Sequence, residues 1–251
     1  MSVQVSRRKL IGSLGAGLLL SGCDSWSRSG RVKHVLGSAE TLSMGAQRLI
    51  LGEATLAREY APADMSSMFR VNGNRTADTP QYRRMLANGF ADFRLIVDGL
   101  VRRPLEIPLE RLRALPHRTQ ITRHDCVEGW SAIGQWTGVP LALLLDAAGL
   151  LDQARYIVFH CADSFGATPY YESVDLIDAR HPQTILAYAM NGQPLPEPYG
   201  APLRARIERQ LGYKHAKFVM RVEAVASLAG LYGGRGGYWE DVGDYAWYAG
   251  I

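Results

Sequence analysis

The chain has 251 residues, 47% of them hydrophobic and 21% charged, enough to bury a substantial core as one large domain or two small ones. Its formal charge of +4 includes Arg7, Arg8 and Lys9, in a leading segment of 23 residues without an acid; setting these three aside leaves 25 basic residues against 24 acidic ones, a net +1. That balance gives no clustered basic face of the kind a nucleic-acid partner requires.

The first element is an address rather than part of a fold. Residues 1–23 run from Arg7-Arg8-Lys9 through a weakly apolar stretch, Leu10 to Leu20, to small residues, which is the layout of an export signal. The apolar stretch is too short to span a bilayer, and Gly12, Gly15 and Gly17 weaken it further. Ser6-Arg7-Arg8-Lys9 resembles a twin-arginine signal, which carries proteins across already folded and so fits a cofactor inserted beforehand. Leu20-Ser21-Gly22-Cys23 resembles a lipobox, making Cys23 a candidate lipid anchor, and Asp24 after it favours retention at the inner membrane. The alternative is a plain cleavage site beside a stray cysteine. The expected location is the periplasm. Residues 24–60, rich in Ser, Arg and Gly and then weakly amphipathic, read as tether and lead-in, and the globular domain is placed at 61–251.

From residue 90 onward, short apolar runs alternate with turn signals. Arg94–Val101 reads as a strand with a turn at Asp98-Gly99, and Leu109–Leu115 as a short helix stopped by Pro116. Thr119–Cys126 is a strand running into a loop, so Cys126 sits where a strand ends. Pro140 opens a helix that Gly149 closes, with Leu141, Leu144, Leu145 and Ala148 on its apolar face. Arg155–Ala162 is an almost unbroken apolar run and reads as an interior strand. Asn191-Gly192 between two extended runs predicts a hairpin, and Lys217–Leu228 a further strand. Repeats, heptads and spanning segments are absent, and the predicted class is α+β, dominated by sheet.

With Cys23 lipidated, Cys126 and Cys161 remain, and a disulfide closing about 35 residues would stabilise by a few kcal/mol. Against it, Cys161 lies inside an apolar strand as a small hydrophobe, whereas Cys126 follows Arg123, His124 and Asp125, where positive neighbours stabilise a thiolate. No second cysteine or histidine stands at zinc spacing. A lone thiolate ligand suits a metal that brings its other ligands with it.

Three segments, 126–141, 170–196 and 199–223, resemble the oxidoreductase molybdopterin-binding family in order and spacing, over roughly Phe69 to the C-terminus. The family includes sulfite oxidase and the catalytic subunit of periplasmic methionine sulfoxide reductase. The resemblance implies a sheet-rich α+β fold of the sulfite-oxidase type around one molybdenum on a molybdopterin, with Cys126 as the protein's metal ligand. Arg123, just upstream, is a candidate catalytic partner for an oxyanion or sulfoxide oxygen, or else half of an ordinary salt bridge. Arg204, His215, Ala216 and Lys217 match the cofactor- and phosphate-contacting positions, while Arg206 and Arg209 read as a solvated strand face. Phe69, Arg70 and Cys161 fall near further pterin contacts. Tyr199 stands where many relatives carry histidine or asparagine, and Glu128, Gly129 and Trp130 follow Cys126 where sulfite oxidases carry an arginine.

The resemblance implies an oxygen-atom-transferring molybdoenzyme, expected as a monomer, acting on a small sulfoxide or on an oxyanion such as sulfite. Its electrons pass to or from a haem partner, a cytochrome c or a membrane cytochrome b, because the chain has no C-x-x-C-H haem site. The rival is a cofactor-free binding or scaffold domain with a Cys126–Cys161 disulfide. The closing residues 233–251 fail the dinucleotide-binding pattern, and Trp239, Tyr245, Trp247 and Tyr248 are expected to pack near the site entrance.

Overall fold

The computed structural model describes residues 30–251; the export segment with Arg7, Arg8 and Cys23 lies outside the described residues. The chain divides into two units, one ending at Ile50 and the other spanning Leu51–Ile251. In the first, α1 (Gly30–Leu51) is helical where the sequence reading has a tether. From Ala39 onward Ala, Leu, Met, Gln and Glu dominate, and these helix formers outweigh the lone Gly45. No helix among the described residues is long and apolar enough to cross a membrane.

The second unit begins about ten residues earlier than the expected boundary at 61, because the lead-in is tied down. Arg209 Nη1 donates to the Gly52 and Glu53 carbonyls at 3.1 and 2.6 Å, Gln183 exchanges bonds with the Ala57 backbone, and Tyr60 N–H donates to the Ile121 carbonyl at 2.9 Å. Two sheets make up its body, one mixed and one antiparallel. One sheet has the order β2-β1-β10-β5-β6, from β1 (Arg94–Gly99), β2 (Leu105–Pro108), β5 (Tyr156–Phe165), β6 (Thr168–Asp175) and β10 (Val219–Val225). Only the β1/β10 pair is parallel, with Ile96 opposite Arg221. The other sheet has the order β3-β4-β7-β8, with β9 (Arg204–Arg206) also paired to β7; its remaining strands are β3 (Arg118–Asp125), β4 (Ser131–Pro140), β7 (Ile185–Met190) and β8 (Gln193–Pro194).

Alternation along the strands supplies the core between the layers. Leu95 and Val97 of β1, Ile157 and Phe159 of β5, and Val222 and Ala224 of β10 point inward at period two. Four further helices pack against this scaffold: α2 (Pro80–Ala87), α3 (Leu109–Arg113), α4 (Leu141–Ala148) and α5 (Leu176–Ala179); α6 (Tyr238–Gly243) lies in the C-terminal segment. α4 buries Leu141, Leu144, Leu145 and Ala148, the face read from the sequence, and Gly149 ends it at φ 72°. The Asn191-Gly192 turn has φ of 50° and 75°, the double positive of the tight hairpin its dipeptide predicts. β5 pairs on both edges and is interior. Gly138 is required by crowding: a Cβ there would enter the Leu186-Ala187 backbone of β7.

Candidate active site

β3 and β4 form a hairpin whose tip carries the cysteine. The ladder runs from Arg118↔Gly138 to Asp125↔Ser131, after which Cys126 N–H donates to the Trp130 carbonyl at 2.9 Å and Gly129 N–H to the Cys126 carbonyl at 3.0 Å. The five-residue tip is therefore fixed by its own backbone, and it presents a Cys126 side chain that is 7% exposed. Burial pushes this thiol up; a backbone donor at Glu128, the Asn72 side chain and the Arg204 charge pull it back.

Cys126 opens into a cavity of about 380 Å³ that Arg204, His215 and Lys217 also line. These four predicted residues meet although they come from the hairpin tip, from β9 and from the segment leading into β10. Arg204 is buried, with Nε and Nη2 unpartnered and only Nη1 bonded, to the Tyr199 carbonyl at 3.3 Å. Burial, then repulsion from Arg206, brings its pKa down to about 9. Lys217 Nζ donates to the Asn72 and Pro198 carbonyls at 2.6 and 3.0 Å and to that of Asn74, so its donors hold the loop over the cavity. Burial, then Arg204, lowers it to about 7.

Both buried histidines have defined tautomers. His215 Nε2 lies 2.9 and 3.1 Å from the Ile207 and Gln210 carbonyls, which only accept, so Nε2 carries the proton and Nδ1 stays a buried, unpartnered acceptor. His124 Nδ1 faces Arg206 Nη1 at 3.0 Å, which only donates, so Nε2 carries the proton there and is the unpartnered atom. Burial holds both rings neutral, reinforced by Arg204 and Arg206. Gly212 lies against the His124 ring, where a Cβ would collide.

Several cavity residues were missed by sequence reading. Asp163 of β5 lines it and has a buried, unpartnered Oδ1, with Oδ2 held by Asn74 Nδ2 at 2.9 Å; burial raises the acid to about 6. Asn72, Gly73 and Asn74 form one rim, and Phe165, Tyr170 and Tyr213 line an aromatic wall. Asp163 had a visible signal, an acid two residues after Cys161 inside an apolar strand. Trp239 and Tyr245 line the cavity as expected of the C-terminal aromatics, whereas Trp247 packs instead on Tyr156 and donates to Ser173 Oγ at 2.9 Å.

Six predicted residues do not line the cavity. Arg123 projects from the opposite face of β3, its side chain 53% exposed, and Nε pairs with Asp125 Oδ2 at 2.9 Å, the salt bridge that is the alternative to a catalytic role. Tyr199 turns its hydroxyl to the Phe69 carbonyl at 2.6 Å, and the Phe69 ring packs among His124, Trp130 and Trp136. Arg70 is exposed, and Ala216 buries its methyl in the core. Cys161 is a half-buried free thiol on β5, its Sγ 3.9 Å from the Phe159 carbonyl; Cys126, on the other sheet's hairpin, is free as well. Arg206 and Arg209 are buried rather than solvated: Arg206 makes a two-pronged pair with Glu208 at 2.9 and 2.7 Å and lies over Trp136. Arg123→Ala should change kcat/KM by less than about twofold and stability by less than about 1 kcal/mol, as for an exposed ion pair; steady-state kinetics and thermal melts check this.

Comparison with known proteins places this geometry. The family described as "Oxidoreductase molybdopterin binding domain" matches residues 81–229, which include Cys126, Arg204, His215 and Lys217. YedZ1 of Azospira oryzae, whose name makes it a subunit of a protein-methionine-sulfoxide reductase, is 45% identical over 160 residues, 64% of this chain and 56% of its own length. The chain thus spans about half the length of that curated relative. The sulfane dehydrogenase SoxCD of Paracoccus pantotrophus shares the fold at a TM-score of 0.51 and 24% identity, over 55% of this chain and 39% of its own. The match over more than half of its length identifies this sheet-rich α+β chain as a member of the oxidoreductase molybdopterin-binding family.

Proposed function

We propose that the chain is the catalytic subunit of a periplasmic molybdopterin enzyme that reduces a neutral sulfoxide to a thioether. The observation that carries this reading is a buried thiol, Cys126, sharing a cavity with a buried guanidinium, Arg204, that has two unpartnered nitrogens. Such a pair suits a group that is soft at one end and anionic at the other. The residues fit a molybdopterin: Cys126 would hold the metal, and Arg204, with two unpartnered nitrogens, would take the anionic end. When bound, the cofactor supplies two-electron oxygen-atom transfer.

The chain's own residues do the rest. The hairpin tip fixes Cys126 before the metal arrives, so ligand placement costs little ordering entropy. Arg204 would gain acceptors for two donors, Nε and Nη2, that otherwise stay buried and unpaired. Sulfoxide reduction takes two electrons and two protons and yields thioether and water, and Asp163, raised to about 6, is an acid placed at the cavity wall to hold one of those protons at Oδ1. The cavity also favours a neutral substrate over sulfite. Asp163 and Glu128 line it, Lys217 spends its donors on backbone carbonyls, and Arg123 lies elsewhere. The methionine-sulfoxide name of the A. oryzae relative supports the same direction.

Around this centre we place the remaining expectations: export by the twin-arginine route, a lipid tether at Cys23, a monomeric chain, and a cytochrome supplying electrons. The test is turnover by protein matured through its own export route, with a reduced viologen as donor. Dimethyl sulfoxide and methionine sulfoxide should be consumed with one thioether formed per two electrons. Oxidation of sulfite with no sulfoxide turnover would reverse the assignment.

A further inference from the structure

The family match ends at residue 229, yet the cavity is completed by residues after it. After β10 the chain passes through α6 and returns to the body, where Leu211 N–H donates to the Ala249 carbonyl at 2.9 Å and Ile251 N–H to the Arg209 carbonyl at 3.0 Å. Along this strap Trp239 and Tyr245 stack on each other at 5.8 Å between centroids. Trp239 also meets Phe165 at 5.4 Å, and Tyr245 meets Tyr213 at 5.0 Å. Both strap rings line the cavity and stay half-exposed, so they form its mouth.

The strap is held from beneath by a fully buried cation. Lys214 Nζ lies 2.5 Å from Glu240 Oε1 and 2.6 Å from Glu172 Oε2. Glu240 is the neighbour of Trp239, and Lys214 the neighbour of Tyr213, so one buried ion cluster sets two of the mouth's rings. Gly237 leaves no space for a Cβ between the two carboxylates. Asp241 adds a second fastening, accepting from the Tyr171 hydroxyl at 2.5 Å and from Gly233 and Arg235 N–H at 2.9 and 3.0 Å.

We propose that Trp239 and Tyr245 are specificity-determining residues that admit a neutral methyl sulfoxide and disfavour an oxyanion, with Glu240 as the residue that positions them. The chemistry is that of aromatic faces. Their negative quadrupole attracts polarised S-methyl groups and sulfur and repels anionic oxygens. The acids Asp163 and Glu128 line the same cavity and add to the discrimination.

This inference rests on the sulfoxide reading, and the experiment separates the two. W239L and Y245L, in the full chain with cofactor, should each raise KM for dimethyl sulfoxide about tenfold while kcat stays within about twofold and molybdenum content is unchanged. E240A should raise KM similarly, and E240Q, which keeps an acceptor for Lys214 Nζ, should restore it; a merely structural Glu240 would lower the melting temperature and leave KM alone. Binding is read separately from turnover, by tryptophan fluorescence: dimethyl sulfoxide should give a saturable change that W239F loses, and sulfite should give none. If wild-type protein turns over no sulfoxide, the functional reading fails while the fluorescence titration still decides the mouth. The inference is overturned by an unchanged KM in both ring variants, by loss of molybdenum from either, which would turn the rings toward the cofactor, or by the absence of a saturable fluorescence change.

Discussion

Cys126→Ser should give a folded protein that binds no molybdenum and loses activity by more than about 100-fold, the upper range for losing only a partner that supports a metal ligand. The expectation rests on how the residue is held. Its backbone bonds, to Trp130 and Gly129, belong to the hairpin tip and do not involve the sulfur, so the turn survives the exchange. Serine is close to isosteric, and its hydroxyl fits a site whose stability owes little to the thiol. The exchange loses a soft, polarisable ligand that ionises far more readily than an alcohol. Native mass and metal analysis of exported protein, beside a thermal melt, separates this outcome from misfolding. Retention of one molybdenum per chain with near-normal turnover would remove Cys126 from the site, and with it the proposed function.

The parts of the site that could be read from sequence are those fixed by local geometry. Cys126 ends a strand and opens a tight tip, and both facts lie within a dozen residues. The α4 face and the Asn191-Gly192 turn are likewise decided by spacing and by backbone preference alone. Arg123 carries a positional signal that favours its salt-bridge reading: three residues before Cys126 on an extended strand places it on the opposite face, where the structure finds it. Arg206 is similar, since Glu208 two positions on shares its face and can neutralise it inside the protein. By contrast, the composition of residues 24–60 averages over a polar start and a helix-forming end, and so hides α1. The partners of Lys214 and the strap rings of the cavity come from distant parts of the chain, and only the packing of β6, α6 and the segment before β10 brings them together.

That long-range cluster gives the largest expected stability effect. Lys214→Met should cost about 3–5 kcal/mol, because removing one member of a buried ion group leaves its partners charged and unpaired. For a unit of this size that corresponds to a fall in melting temperature of roughly 6–20 °C. Burial alone would push Lys214 down, yet Glu172 and Glu240 together hold it above the usual lysine range. One ammonium charge cannot neutralise two carboxylates, and burial raises Glu172 well above the ordinary range, so that it keeps a proton more readily than in the unfolded chain. A raised carboxyl binds more protons folded than unfolded, so its contribution is fully present below the unfolded pKa and is lost as pH rises toward the folded value. Without Lys214 the folded value rises further and that loss grows. The melting-temperature gap between wild type and Lys214→Met should therefore widen from pH 5 to pH 8, and the combined Glu172→Gln, Lys214→Met, Glu240→Gln protein should recover most of it by removing the stranded charges. A gap independent of pH, or no recovery in the triple variant, would mean that Lys214 stabilises through packing against the Trp247 and Tyr213 rings rather than through charge.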